Sequence, residues 1–102
     1  MSTTKTKEEL TRLAWISALR REGHRKCLDF YEDYQGRVCA LGLLCEVVGK
    51  SPGEMGTVSH IGALAGLDGH QATAITFMND GRGPCREYSF SEIADEVERW
   101  FE

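Results

Sequence analysis

Apolar and polar positions recur with helical spacing over most of the chain. The first pattern is TKEELTRLAWISALRR. Thr6 and Glu9 have capping-box spacing, in which the hydroxyl accepts the N3 amide and the carboxylate reaches back to the cap. Leu10, Leu13, Ala14, Ser17 and Ala18 then lie along one side, and Trp15, Ile16 and Leu19 widen the apolar face. A helix is predicted to about Arg21, ended by Gly23 in a left-handed cap. The second pattern, VCALGLLCEVV, is apolar nearly all round, which marks a buried helix from about Ala40 to Val48, stopped by Gly49. Further on, HIGALAGLDGH reads as a short helix broken near Gly66 or Gly69. QATAITFMND reads as another, with Ala72, Ile75, Phe77 and Met78 apolar. Ser89 and Glu92 repeat the capping box, and Phe90, Ile93, Ala94, Val97 and Phe101 recur at helical spacing behind them, with Trp100 adjacent.

Between the helices the pattern changes. Cys27, Leu28, Phe30 and Tyr31 favour strand, and Gln35-Gly36 is a turn signal, so residues 27–32 are expected to pair with 36–39 in a hairpin. KSPGEMGTVS, with a proline, two glycines and two serines, reads as loop. The fold class expected is mainly α (α+β). Four to five short helices form a compact bundle around the buried central helix, with the terminal helices covering it and one small β-hairpin beside it.

Composition adds bounds. A chain of 102 residues with 41% hydrophobic and 27% charged residues makes one globular domain, expected over 6–102 behind a flexible tail at 1–5. The formal net charge of −4 argues against nucleic-acid phosphate as a partner unless basic residues cluster. The N-terminus MSTTKTKEEL lacks the apolar region of a signal peptide, and no run approaches the roughly 20 apolar residues that span a bilayer. A cytoplasmic location is expected, with the four cysteines as thiols or metal ligands rather than disulfides.

Candidate chemistry centres on those cysteines. Cys39 precedes the central helix, where the positive end of the dipole would lower its thiol pKa. His60 or His70 could serve as base, and Asp68 or Asp80 could orient it. His24, Cys27, Cys39 and Cys45 are all zinc-ligand types, and Cys85 could contribute. Yet there is no C-x2-C knuckle, and Cys39 and Cys45 would lie about 240° apart around a helix. The bland reading is four ordinary thiols with no metal and no cofactor. IGALAGLDGHQATAITFMNDGR has the outline of a helix-turn-helix, but its second helix offers Gln71, Thr73 and Thr76 and no Lys or Arg before Arg82. RREGHRK, residues 20–26, is the positive cluster of the chain, and EIADEVERWFE is its acidic complement. Arg20, Arg21, Arg25 and Lys26, with Tyr31 and Tyr34 of the hairpin, are therefore the candidate contacts for a protein partner.

Several motifs occur in a fixed order: W-x-x-A-L at 15–19, C-x-L-G-x-L-C at 39–45, M-N-D at 78–80 and S-F-x-E-I-A-D at 89–95. Together they resemble a family of small uncharacterised proteins of phages and bacteria. Members often carry a second cysteine where this chain has Ala40, so a paired-thiol site is not part of the expectation here. The resemblance implies no reaction. It implies a setting, accessory genes of mobile elements, and with it a non-enzymatic protein that binds and modulates, for example inhibits, a host or defence protein.

Overall fold

The computed structural model describes residues 5–28 and 33–102. Six α-helices occur among them: α1 (Lys7–Arg21), α2 (Ala40–Val48), α3 (Pro52–Met55), α4 (Val58–Ala63), α5 (Gly69–Asp80) and α6 (Phe90–Trp100). A 3-10 turn at Gly23–Arg25 follows α1. The mainly helical class is as expected, with α3 an addition. Residues expected as loop form it because Ser51 and Glu54 make a capping box and Pro52 sits at the first helical position, where a missing N–H costs nothing.

The expected caps hold α1 and α6. Thr6 accepts from the Glu9 N–H at 3.1 Å, and Ser89 and Glu92 cap each other reciprocally. Asp68 and Gln71 do the same for α5, which starts at Gly69 rather than at Gln71. Each such cap contributes about 1 kcal/mol by satisfying donors that a helix end leaves free. Gly23 is not a left-handed cap. Helix α1 ends at Glu22, and the chain tightens into the 3-10 turn with Gly23 at its start. Gly66 does take the left-handed role (φ 78°), letting the Leu67 N–H return to the Gly62 carbonyl and close α4.

The hairpin is not seen. Among the described residues there is no strand, and Lys26 and Val38 make a single parallel bridge. Cys27 N–H donates to the Val38 carbonyl at 2.9 Å and Val38 N–H to the Arg25 carbonyl at 2.8 Å. The Gln35-Gly36 turn exists, but the Asp33 carboxylate closes it, accepting from the N–H groups of Gln35 and Arg37 at 2.9 Å each. Those donors serve a local side chain and not a partner strand. Phe30 and Tyr31 lie outside the described residues.

Helix α2 runs through the centre, with residues 40–45 all buried. It packs against α1 on one side and against α4 and α5 on the other, while α6 packs chiefly on α1. One apolar cluster joins them: Trp15, Leu19, Leu41, Leu44, Ile61, Ile75, Phe90, Ile93 and Val97 are all buried in it. Helices α4 and α5 approach closely enough that a Cβ on Gly62 would stand 2.6 Å from Ala72 Cβ.

Two apolar assignments are corrected by this packing. The inner face of α1 is Trp15, Ile16, Ala18 and Leu19; Leu10, Leu13, Ala14 and Ser17, read as part of that face, point outward. In α5 the buried stripe is Ala72, Ile75, Met78 and Asn79, and Phe77 is exposed beside Gly83.

Candidate interaction surface

The motif residues converge inside the protein. Asn79 is 1% exposed. Its Oδ1 accepts the Ala40 N–H at 3.0 Å, one of the donors that the start of α2 leaves unpaired. Its Nδ2 donates to the Cys27 carbonyl and to Asp80 Oδ1, at 3.0 and 2.8 Å. Trp15 Nε1 donates to the carbonyl of the same Ala40 at 2.9 Å. Thus the W-x-x-A-L, C-x-L-G-x-L-C and M-N-D motifs meet at one backbone unit, and that junction fixes where α2 begins. Among the described residues no buried side-chain nitrogen or oxygen lacks a hydrogen-bond partner, so the junction is closed chemically as well as sterically.

Cys39 is the N-cap of α2, as the spacing predicts, and its Sγ accepts the Gly42 N–H at 3.3 Å. The expected fall in pKa does not follow. Burial disfavours the thiolate more than the helix-end N–H groups favour it, and pushes the thiol up to about 11. Burial also raises Cys45. The structure thus holds Cys39 as a neutral thiol near neutral pH, the opposite of an activated nucleophile. Cys27, Cys39 and Cys45 are buried and Cys85 is half-buried, and none of the four is in a disulfide among the described residues. Among the described residues no group of three or more His, Cys, Asp or Glu side chains is placed to hold a metal, and His24, Cys27, Cys39 and Cys45 are not assembled into one ligand set.

The basic run is spread over internal partners. Arg20 pairs with Asp95 at 2.9 Å and with Glu98, both on α6, so the acidic complement expected at the C-terminus meets it directly. Arg25 forks onto both oxygens of Glu46 at 2.8 and 2.9 Å, adds Glu22 at 3.0 Å, and donates to the Gly36 carbonyl. Arg25 thereby holds the Glu46 carboxyl below its ordinary pKa. Lys26 reaches Glu87 at 2.5 Å. Arg21 is exposed and bonds Ser17 Oγ. Exposed pairs of this kind add roughly 0–1 kcal/mol each. Their larger effect is to remove Arg20, Arg25 and Lys26 as a free positive patch. Tyr34 stands 95% exposed at the turn, away from any described apolar neighbour cluster; Tyr31 lies outside the described residues.

What sequence reading missed is the outward face of α1. Leu10 is 56% and Leu13 48% exposed, with Ala14 and Ser17 along the same stripe. Leu13 continues into an open groove between α1 and the end of α6, floored by Ile16 and Val97. Phe101, the last apolar residue of the α6 pattern, is 38% exposed there because the helix ends at Trp100. The Arg12 guanidinium lies over its ring at 3.6 Å. Beyond the groove, residues 90–102 carry five carboxylates and one arginine. The signal was present in the sequence, since Leu10 and Leu13 lie on the opposite side of α1 from Leu19, but an apolar residue on every side hides it.

The helix-turn-helix outline corresponds to α4, the turn at 64–68, and α5. The outward positions of α5 carry His70, Thr73 and Phe77 and no Lys or Arg. No helix among the described residues is long and apolar enough to cross a membrane. No family model matches the chain, and neither a curated protein nor a solved structure is significantly similar to it.

Proposed function

We propose that this protein is a non-enzymatic interaction protein, and that it acts by docking the outward face of α1 and the adjoining α1–α6 groove onto another protein. The observation that carries this reading is the exposure of Leu10 and Leu13 one helical turn apart, with Leu13 and the exposed Phe101 lining the same groove. Scattered surface leucines need no explanation, whereas adjoining ones beside an open groove fit a contact site. The occupant is a basic amphipathic helix. Its apolar side would cover Leu10, Leu13 and Phe101, and its cations would face Glu9 and Glu102, which line the groove and form no ion pair among the described residues. The motif resemblance adds the setting: the partner is a host or defence protein, and the small acidic chain modulates it from a location expected to be cytoplasmic.

Affinity capture from host lysate, run in parallel with the wild-type chain and the variants Leu13→Glu and Arg21→Ala, tests the proposal. A partner retained by wild type and Arg21→Ala and lost with Leu13→Glu supports it. It is overturned if the captured set is the same for all three chains, or if no protein is captured above an unrelated acidic control.

A further inference from the structure

On the other flank of α1, away from Leu13 and Phe101, a second groove lies between the first turns of α1, the end of α2 and α4. Lys7, Lys50 and His60 line it, from three separate stretches of chain. Among the described residues none of the three makes an ion pair, although Arg20, Arg25, Lys26, Arg37, Arg86 and Arg99 all do. Lys5, Arg12 and Arg21 make none there either, but Lys5 and Arg12 share the α1–α6 groove with Glu9, Glu98 and Glu102, whereas Lys7 and Lys50 share theirs with a single carboxylate, Glu8, in a chain of net charge −4. Glu54 is close enough to sense Lys50, but its carboxylate is committed to the Ser51 N–H and hydroxyl. Nδ1 of His60 lies 3.2 Å from the Met55 carbonyl, which can only accept. That nitrogen therefore carries the proton and Nε2 remains open. Val48 and Leu64, both half-buried, give the groove apolar walls, and Thr11 adds a hydroxyl.

We propose that this groove binds a small organic anion, a single carboxylate on an apolar body. The carboxylate sits between Lys7 and Lys50, and the body lies on Val48 and Leu64. Size and charge both narrow the class. The cavity is about 240 Å³, below the roughly 300–1,000 Å³ of sites for drug-sized ligands, so it suits one ring or a short chain. Glu8 also lines the groove and offsets one of the two lysines, so a monoanion matches the site better than a phosphate dianion. This site is independent of the docking face, and neither proposal depends on the other.

The probe is phenylacetate, titrated into the full chain at low salt and followed by calorimetry and amide chemical shifts. Saturable one-to-one binding is expected, with shifts confined to Lys7, Thr11, Lys50, His60 and their neighbours. The double variant Lys7→Ala, Lys50→Ala changes two exposed side chains and should keep the wild-type melting temperature; its affinity should fall roughly tenfold or more. Acetate, lacking the ring, and 2-phenylethanol, lacking the charge, should each bind at least about tenfold more weakly than phenylacetate. The control Lys5→Ala, Arg21→Ala should bind as wild type does. The proposal is overturned by the absence of saturable binding at millimolar phenylacetate, by unchanged affinity in the Lys7, Lys50 double variant, or by acetate binding as tightly as phenylacetate.

Discussion

Around Ala40 the interior is polar; along the outward face of α1 the exterior is apolar. Both regions reverse the usual distribution, and they differ in how they are closed. At the first, Asn79 and Trp15 pair the Ala40 N–H and carbonyl within the protein. At the second, Leu10 and Leu13 are left about half exposed by the described chain. Trp15, Cys39, Ala40 and Asn79, at the heart of the resemblance motifs, all belong to the closed region, and Leu10 and Leu13 to none of the motifs. The motifs thus encode how α2 is seated. Partner choice, on our proposal, is left to positions outside them.

The sharpest way to break the comparison is Asn79→Ala. It strands a buried N–H and a buried carbonyl, and should cost about 3–5 kcal/mol in urea denaturation. Asn79→Asp should not restore stability, because a carboxylate cannot donate to the Cys27 carbonyl. A loss below about 1 kcal/mol for Asn79→Ala would mean that the junction does not hold α2.

Next comes Gly62→Val, which forces side-chain atoms against Ala72 and should cost about 1–3 kcal/mol by the same measurement. Ala72→Gly in the same chain should recover part of it, as contacting positions couple.

A pH series probes the same interior. The Cys39 thiol has a folded pKa raised to about 11 by burial. A raised pKa stabilises the fold below the unfolded value, near 8.5, and that contribution is lost as pH climbs from there through 11. Stability should fall by about 3 kcal/mol over that window, and the fall should shrink in Cys39→Ser, whose hydroxyl does not titrate there. Thiol labelling of the native protein at pH 8 should reach Cys85 well before Cys39 or Cys45.

The surface substitutions carry the smallest stability effects. Arg20→Ala should cost no more than about 1 kcal/mol, reduced further by salt, because its pairs with Asp95 and Glu98 are exposed. Leu13→Glu should leave stability within about 0.5 kcal/mol of wild type while abolishing capture of the proposed partner. Leu13→Glu unfolding the chain would make α1's outward face part of the core, and the comparison would fail.

The comparison also separates what could be read from sequence from what could not. Helix α6 was legible because its cap and its stripe agree: Ser89 and Glu92 start it, and Phe90, Ile93, Ala94 and Val97 all face the core. Helix α2 was legible because Ala40 through Cys45 admit no outward side. The orientation of α1 was not. Leu10 and Leu13 are as apolar as Leu19, so only the docking of α2 and α6 decides which side is inner. The hairpin failed because strand propensity at 27–31 says nothing of Asp33, whose carboxylate claims two N–H groups for itself. The ion pairs of Arg20 and Lys26 were not legible either. Whether a cation is free depends on Asp95, Glu98 and Glu87, more than 60 positions away. Asn79 stood out in the M-N-D string, yet that a polar residue would be among the most buried of the described residues follows only from the meeting of Cys27 and Ala40.

That meeting has a kinetic consequence. The Ala40 amide hydrogen bonds to a side chain 39 positions away, on a helix that must itself be packed before the bond exists. Local fraying of α2 cannot release it, since Asn79 is clasped at the same time to Cys27. Its exchange with solvent deuterium should therefore require opening of the whole domain, while the amides at the far end of α2, near Gly49, exchange through sub-global motion. A single residue in the middle of the chain then serves as a native gauge of global stability, readable without denaturant.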